Sequence, residues 1–163
     1  MKLVPMTESE FNFWLPRSRR SYAADKMKAN GLAQDEADKV AAEGFNQMLS
    51  QGINSKNNFL YSAKDAQQNI LGFIWFCVLS IEGHRRAYIC DVIIEEQYRG
   101  KGYGRQVMML VEQEIKKQGL NRVGLHVFGF NERAIKLYKS MGYLTTDIEM
   151  EKTLPNSRIN DSQ

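Results

Sequence analysis

The run Arg99-Gly100-Lys101-Gly102-Tyr103-Gly104-Arg105 constrains this chain more than any other stretch. An apolar, β-branched segment ends just before it at Ile94, and beyond it apolar residues recur at Val107, Met108, Val111 and Ile115, the spacing of one helix face. The loop therefore joins a strand to an amphipathic helix. Its glycines admit positive φ and let a ligand approach the main chain. The free N–H groups of a helix start form an anion site, and Arg99, Lys101 and Arg105 add positive charge around it. A phosphate-bearing ligand is the physical inference. Two common phosphate binders are excluded by spacing. A P-loop needs Ser or Thr after its lysine, whereas Gly102 follows Lys101. A dinucleotide fingerprint is G-x-G-x-x-G after a first strand, whereas this loop has G-x-G-x-G after several.

The rest of the chain falls into order around that loop. Lys2 to Met6 is a short strand candidate, and Thr7 with Glu10 fits a capping box opening a helix to about Ala29, which Pro16 should kink or split. A second helix is expected over Asp35 to Leu49. Asn58 to Ala63, Ile70 to Ser80 and Arg86 to Ile94 read as strands of an antiparallel meander, broken by a polar turn and by Glu82-Gly83. After the loop come a helix over Tyr103 to Gln118, a strand over Arg122 to Phe128 and a helix over Asn131 to Met141, with final strands within Tyr143 to Thr153. One helix between two strands makes a parallel crossover, so the sheet is mixed and the class α+β. A single domain over 1–154 with a polar tail over 155–163 is the expected organisation.

Composition narrows the setting. The 163 residues carry 22 Lys and Arg against 19 Asp and Glu, a net +3 too mild to indicate nucleic-acid binding by itself. The longest apolar stretch, Ile70 to Ile81, is far short of the roughly 20 residues of a bilayer span. The first residues lack the apolar core of a secretory signal. Cys77 and Cys90 sit in apolar runs without CxxC spacing and are read as small buried hydrophobes, and the two histidines, distant from each other and from the cysteines, argue against a zinc site. A reduced, cytoplasmic protein without a metal is expected.

Arg99-Gly100-Lys101-Gly102-Tyr103-Gly104 resembles the R-x-x-G-x-G/A pyrophosphate loop of the GNAT superfamily, the acetyl-CoA-dependent N-acetyltransferases. The run Leu125 to Tyr143, LHVFGFNERAIKLYKSMGY, resembles that family's second signature, an Asn opening a helix and a Tyr near its end. The two occur in the family's order and separation. The resemblance implies a mixed, mainly antiparallel sheet with a splayed parallel pair at its centre and helices on both faces. It implies acetyl-CoA as co-substrate, an amine on a small molecule or peptide as acceptor, and no metal. Arg99 to Arg105 would hold the pyrophosphate through backbone amides. Val92, Ile93 and Ile94 would line the pantetheine path, with main-chain groups offered by Ile93 and Ile94. Asn131 would bond the CoA arm or its neighbouring backbone, Ala134 would pack on it, and Tyr138 would protonate the departing thiolate. Glu96-Gln97 stands where the family more often has Pro-Glu.

The attacking amine must lose a proton, and two residues are candidate acceptors. His126 sits on the second strand of the parallel pair, beside the splay and twelve residues before Tyr138, and an imidazole is the side chain that ordinarily titrates near neutral pH. Asp91 interrupts the apolar strand Tyr88 to Ile94, where a lone carboxylate needs a reason; strict alternation puts Asp91 and Ile93 on one face, Val92 and Ile94 on the other. Glu95 and Glu96 read as solvated loop charges. The aromatics Phe11, Phe13, Trp14 and Tyr22 read as core, with Arg17, Arg19 and Arg20 solvated among them. The competing functions are an acyl-CoA-binding sensor without turnover and, motivated by the basic helix and loop, a nucleic-acid-binding protein. A homodimer fits the fold, although the sequence shows no exposed heptad or apolar stripe to build one.

Overall fold

The computed structural model describes residues 1–81 and 83–154. The polar tail expected over 155–163, and Glu82 at the expected break, lie outside the described residues. Along the chain run β1 (Lys2–Pro5), α1 (Glu8–Asn30), α2 (Gln34–Met48), β2 (Asn58–Lys64), β3 (Ile70–Ile81), β4 (His84–Ile94), α3 (Tyr103–Lys117), β5 (Val123–Leu125) and α4 (Glu132–Ser140). The capping box opens α1: the Glu10 amide donates to Thr7 Oγ1 at 3.2 Å and the Thr7 amide to Glu10 Oε2 at 2.9 Å. Pro16 does not split the helix. Phe11 and Trp14 before it and Ser18 and Ala23 after it are all buried, and this continuous packing outweighs one lost backbone bond.

The five strands pair in chain order, antiparallel except for the parallel β4–β5 pair. Helices cover both faces. Phe11 and Trp14 of α1 and Phe45 of α2 pack on Leu60, Phe73 and Trp75. On the opposite face, Val107, Met108, Val111 and Ile115 of α3 meet Ala63, Ile74, Phe76, Ala87 and Ile89, with Tyr138 of α4 at the margin. The class is the expected α+β, but the parallel pair lies at one edge of the described strands. The cause is the segment after Tyr143. Its alternating apolar residues suit a strand, yet 144–154 pairs with no strand among the described residues, and a strand needs a neighbouring edge to exist.

One irregularity in β4 shapes the centre of the molecule. Phe76 opposes Ile89 while Trp75 opposes Asp91, so Cys90 is an extra residue, a β-bulge. The bulge breaks strict alternation. Cys90 packs toward the cluster of Trp14 and Trp75, and its neighbour Asp91 also reaches α1, bonding Trp14 and Ser18. The β4–β5 ladder runs from Ala87↔Val123 to Ile89↔Leu125 and stops there. Bulged strands bend and twist more strongly than regular ones. β5 therefore ends at Leu125, not at the expected Phe128, and the two parallel strands part.

Candidate active site

Where β4 and β5 part, main-chain groups of β4 lose their partners. The Glu95 amide donates to the Leu71 carbonyl at 2.9 Å, and antiparallel alternation from that bond assigns the main chain of Ile93 to β3, opposite Phe73. Ile93 was expected to face the slot and does not. The open side belongs to Val92 and Ile94, whose side chains pack toward α3 while that of Ile93 packs toward α1 and α2. Arg99 Nε occupies the Ile94 carbonyl at 2.9 Å and so ties the glycine loop to the slot. Gly72 lies opposite Ile94, and a Cβ there would come within 2.1 Å of the Ile93 carbonyl oxygen. Only glycine lets β3 approach β4 this closely.

The loop leaves main-chain N–H groups free at the start of α3. Gly100 and Gly102 have φ of +80° and +81°, a region that L side chains rarely adopt. Gly102 caps α3 and has no side chain to consume its amides. The first bond of the helix is Gln106 N–H to the Gly102 carbonyl at 3.3 Å, so the N–H groups of Tyr103, Gly104 and Arg105 precede it. A Cβ on Gly104 would meet Leu137 Cδ2 at 3.4 Å, which is how α3 starts so close to α4. Arg105 donates to Ser140 Oγ at the end of α4.

A cavity of about 1270 Å³ joins these features. Its walls include Asp91, Val92, Ile93, Ile94, Arg99, Gly100, Gly102, Gly104, Arg105, His126, Asn131, Ala134 and Tyr138. Two expected residues stand apart. Lys101 Nζ bonds the Gln97 carbonyl at 3.0 Å, Tyr103 packs edge-on against Tyr98, and neither lines the cavity. Asn131 caps α4, its Oδ1 accepting from the Ala134 amide at 3.2 Å. His126 lies just past β5, exposed, with its ring edge-on to Phe128 at 4.8 Å.

Asp91 and Tyr138 have perturbed environments. Asp91 Oδ2 accepts from Trp14 Nε1 at 2.8 Å and from Ser18 Oγ at 2.5 Å. Burial raises its carboxyl above the usual range, and these two donors offset the rise only in part. Burial likewise raises Tyr138, and the charge of Asp91 raises it further, so the phenol keeps its proton. Two acidic groups thus line one cavity, and burial is the first cause of the upward shift of both.

Several residues in and around the cavity were not legible as such. Glu95, expected to be solvated, accepts a two-pronged bond from Arg17 at 2.8 and 3.0 Å, so that arginine is not solvated either. This pair clamps α1 to the end of β4. Ser18, Tyr22 and Asp25 of α1 line the cavity along with Tyr88 and Phe128, and the Tyr22 and Phe128 rings pack 6.3 Å apart. A signal was present: Trp14, Ser18 and Tyr22 form an i, i+4 stripe on α1. Cys77 and Cys90 are free thiols with sulfurs 3.5 Å apart, Cys77 buried and Cys90 on the cavity wall. No cluster with metal-ligand character occurs among the described residues.

Residues 22–143 match the Acetyltransferase (GNAT) family. The uncharacterized N-acetyltransferase YycN of Bacillus subtilis (strain 168) is 32% identical over 152 residues, 93% of this chain and 97% of that protein. The chain belongs to the GNAT family. The crystal structure of YycN superposes with a TM-score of 0.88, covering 94% of this chain and 98% of that one. The uncharacterized N-acetyltransferase YdgE of the same bacterium is 28% identical over 152 residues, 93% of this chain and 97% of its own length. Thialysine N-epsilon-acetyltransferase of Bos taurus is 31% identical over 71 residues, 44% of this chain and 41% of that protein. As a GNAT acetyltransferase the chain is an acyltransferase, and its cavity is lined by residues of the glycine loop and the start of α3 and also by residues of α1 and α2 and by Phe128. Among the described residues no helix is long and apolar enough to cross a membrane.

Proposed function

We propose that this GNAT protein transfers the acetyl group of acetyl-CoA to a primary amine by direct attack within a ternary complex. The observation that carries this reading is the end of β4–β5 pairing at Ile89. It turns the main chain of Val92 and Ile94 into an open slot leading to the N-terminus of α3, whose amides no side chain of Gly102 takes up. A pantetheine arm bonds such an edge as an added strand would, and the pyrophosphate meets the amides of Tyr103 to Arg105 with Arg99 and Arg105 beside them. Asn131 and Ala134 border the arm. The amine enters from the end walled by Tyr22, Asp25 and Phe128.

The chemistry then falls to four groups. A primary amine near pKa 10.4 is mostly protonated at pH 7, a penalty of roughly 4–5 kcal/mol that a base must offset. Asp91, raised above the usual carboxylate range, accepts that proton through a water. His126 lies at the exposed mouth and serves arriving amines. The slot-facing amides of Val92 and Ile94 polarise the acetyl carbonyl. Tyr138 delivers its proton to the thiolate as the carbon–sulfur bond breaks. An amine acceptor agrees with the thialysine enzyme, whose name places its acetyl group on an ε-nitrogen. Two free cysteines suit a reducing, cytoplasmic setting.

The test is calorimetry followed by turnover. Acetyl-CoA should bind at micromolar concentration, and a panel of polyamines, aminoglycosides, amino acids and peptide N-termini should contain an acceptor that releases free CoA thiol. Tyr138→Phe should lower kcat about 10²–10⁴-fold with acetyl-CoA affinity unchanged. No heat with acetyl-CoA would sink the proposal. Binding without thiol release across the whole panel would leave a sensor.

A further inference from the structure

Neither cysteine takes part in the proposed acetyl transfer, yet the sheet brings the two together. Cys77 of β3 opposes Tyr88, Phe76 opposes Ile89, and Cys90 is the surplus residue of the β4 bulge. In a regular ladder such a diagonal neighbour stands about 7–8 Å away. The Cys90 thiol nevertheless donates to Cys77 Sγ at 3.5 Å, and the Tyr88 carbonyl lies at the same distance from it. Both thiols are free. Cys77 is buried, whereas Cys90 is half-buried and lines the cavity. One sulfur is thus reachable from the cavity, and the second stands behind it. Their hydrogen bond holds the Cys77 thiol below its ordinary value and pushes Cys90 above it, so the inner sulfur is the first to ionise.

A disulfide holds its sulfurs about 2.05 Å apart, so closing this contact draws them together by roughly 1.5 Å. The two sides do not yield equally. β3 is paired with β2 from Ile70 to Cys77 and is buried from Leu71 to Cys77. β4 has no β5 partner beyond Ile89, so the bulge is the part that moves. Asp91 and Val92 follow Cys90 directly, and the movement reaches the open side of the strand. A displacement near 1 Å is enough to cost a site about 10²-fold in rate.

We propose that Cys77 and Cys90 are an oxidation site for hydrogen peroxide, which closes the dithiol to a disulfide and displaces the open side of β4. Once Cys77 is ionised, the proton of Cys90 passes to it across the contact, and the outer thiolate attacks one peroxide oxygen. The O–O bond breaks, leaving Cys90 as a sulfenic acid and the other oxygen as hydroxide, which takes the proton from Cys77. The inner thiolate then attacks Cys90 Sγ and expels its hydroxyl, which leaves as water with the proton that Cys77 first released. Two S–H bonds are lost, one S–S bond forms, and two electrons reduce the peroxide to two waters. That the displaced edge is where acetyl-CoA binds rests on the proposed function; the thiol chemistry does not.

The full chain, reduced and then treated with excess hydrogen peroxide, tests both parts. Free thiols should fall from two to none, with a mass loss of two hydrogens and a linked Cys77–Cys90 peptide in a non-reducing digest. The Kd for acetyl-CoA should rise about tenfold or more, and hydrogen exchange over 91–94 should increase. Dithiothreitol should reverse every change, since a bond that strains its own backbone is readily reduced. Cys77→Ala should stop at a Cys90 sulfenic acid that dimedone traps, and before treatment should bind acetyl-CoA as the untreated protein does. The linked peptide decides the pairing even where that variant fails to fold. Two thiols that survive peroxide, or disulfides only between chains, overturn the proposal. So does a closed pair that leaves both acetyl-CoA affinity and exchange over 91–94 unchanged. If the reduced protein binds no acetyl-CoA, the proposed function fails, and thiol loss with exchange still decides the oxidation site.

Discussion

Asp91 shows how a single side chain is given its character by its neighbours. Burial raises its carboxyl, and Trp14 and Ser18 hold one oxygen in place. A carboxyl raised by folding stabilises the native state while protonated, and that contribution is lost as pH rises through the raised value. Catalysis has the opposite sign, since the group accepts a proton only once ionised. The acceptor kcat/KM should therefore rise with pH through an inflection above the usual carboxylate range, unmoved when amines of different basicity are compared. Asp91→Asn should abolish that inflection and flatten the corresponding stability profile, read by pH-dependent thermal melts. The sequence showed that Asp91 was out of place in an apolar strand. Its partners were not legible, because they lie 73 and 77 residues away on α1.

Among the elements, the glycine loop and the two helices flanking β5 were legible because their signals are local: positive-φ glycines, a cap and a helical stripe. The β4 bulge was not, since an extra residue is defined only by the strand opposite. The same holds for Ile93, whose main chain looks available in sequence and is spent on Phe73. Gly72 belongs to this class of long-range constraint. Gly72→Ala sets a methyl against the Ile93 backbone, a clash that no side-chain rotation relieves, and should cost about 1–3 kcal/mol in denaturant titration. Because the displaced strand carries Val92 and Ile94, acetyl-CoA affinity should fall in the same variant.

For the whole molecule, the cavity is framed by α1, α2, β4, α3 and α4, so one ligand ties most of the fold together. Acetyl-CoA at 100 times its Kd should add about 2.7 kcal/mol to stability, which for a chain of this size raises the Tm by roughly 5–10 °C. A scanning fluorimetry series checks this, and desulfo or acetyl analogues that keep the pyrophosphate should retain most of the shift. The strand pattern of residues 144–154 was plain in the sequence, yet among the described residues they join no sheet, since a strand is defined by its neighbouring edge as much as by its own pattern.

The extra residue in β4 also sets a trade between two virtues of a sheet. With Cys90 deleted, Asp91 would oppose Trp75 without interruption, and the faces of every residue downstream would be unchanged. The ladder with β5 would then be free to continue past Ile89, sealing the seam that now admits a ligand. Such a chain should melt higher and bind no acetyl-CoA. A single surplus residue is what keeps this sheet imperfect enough to be an enzyme.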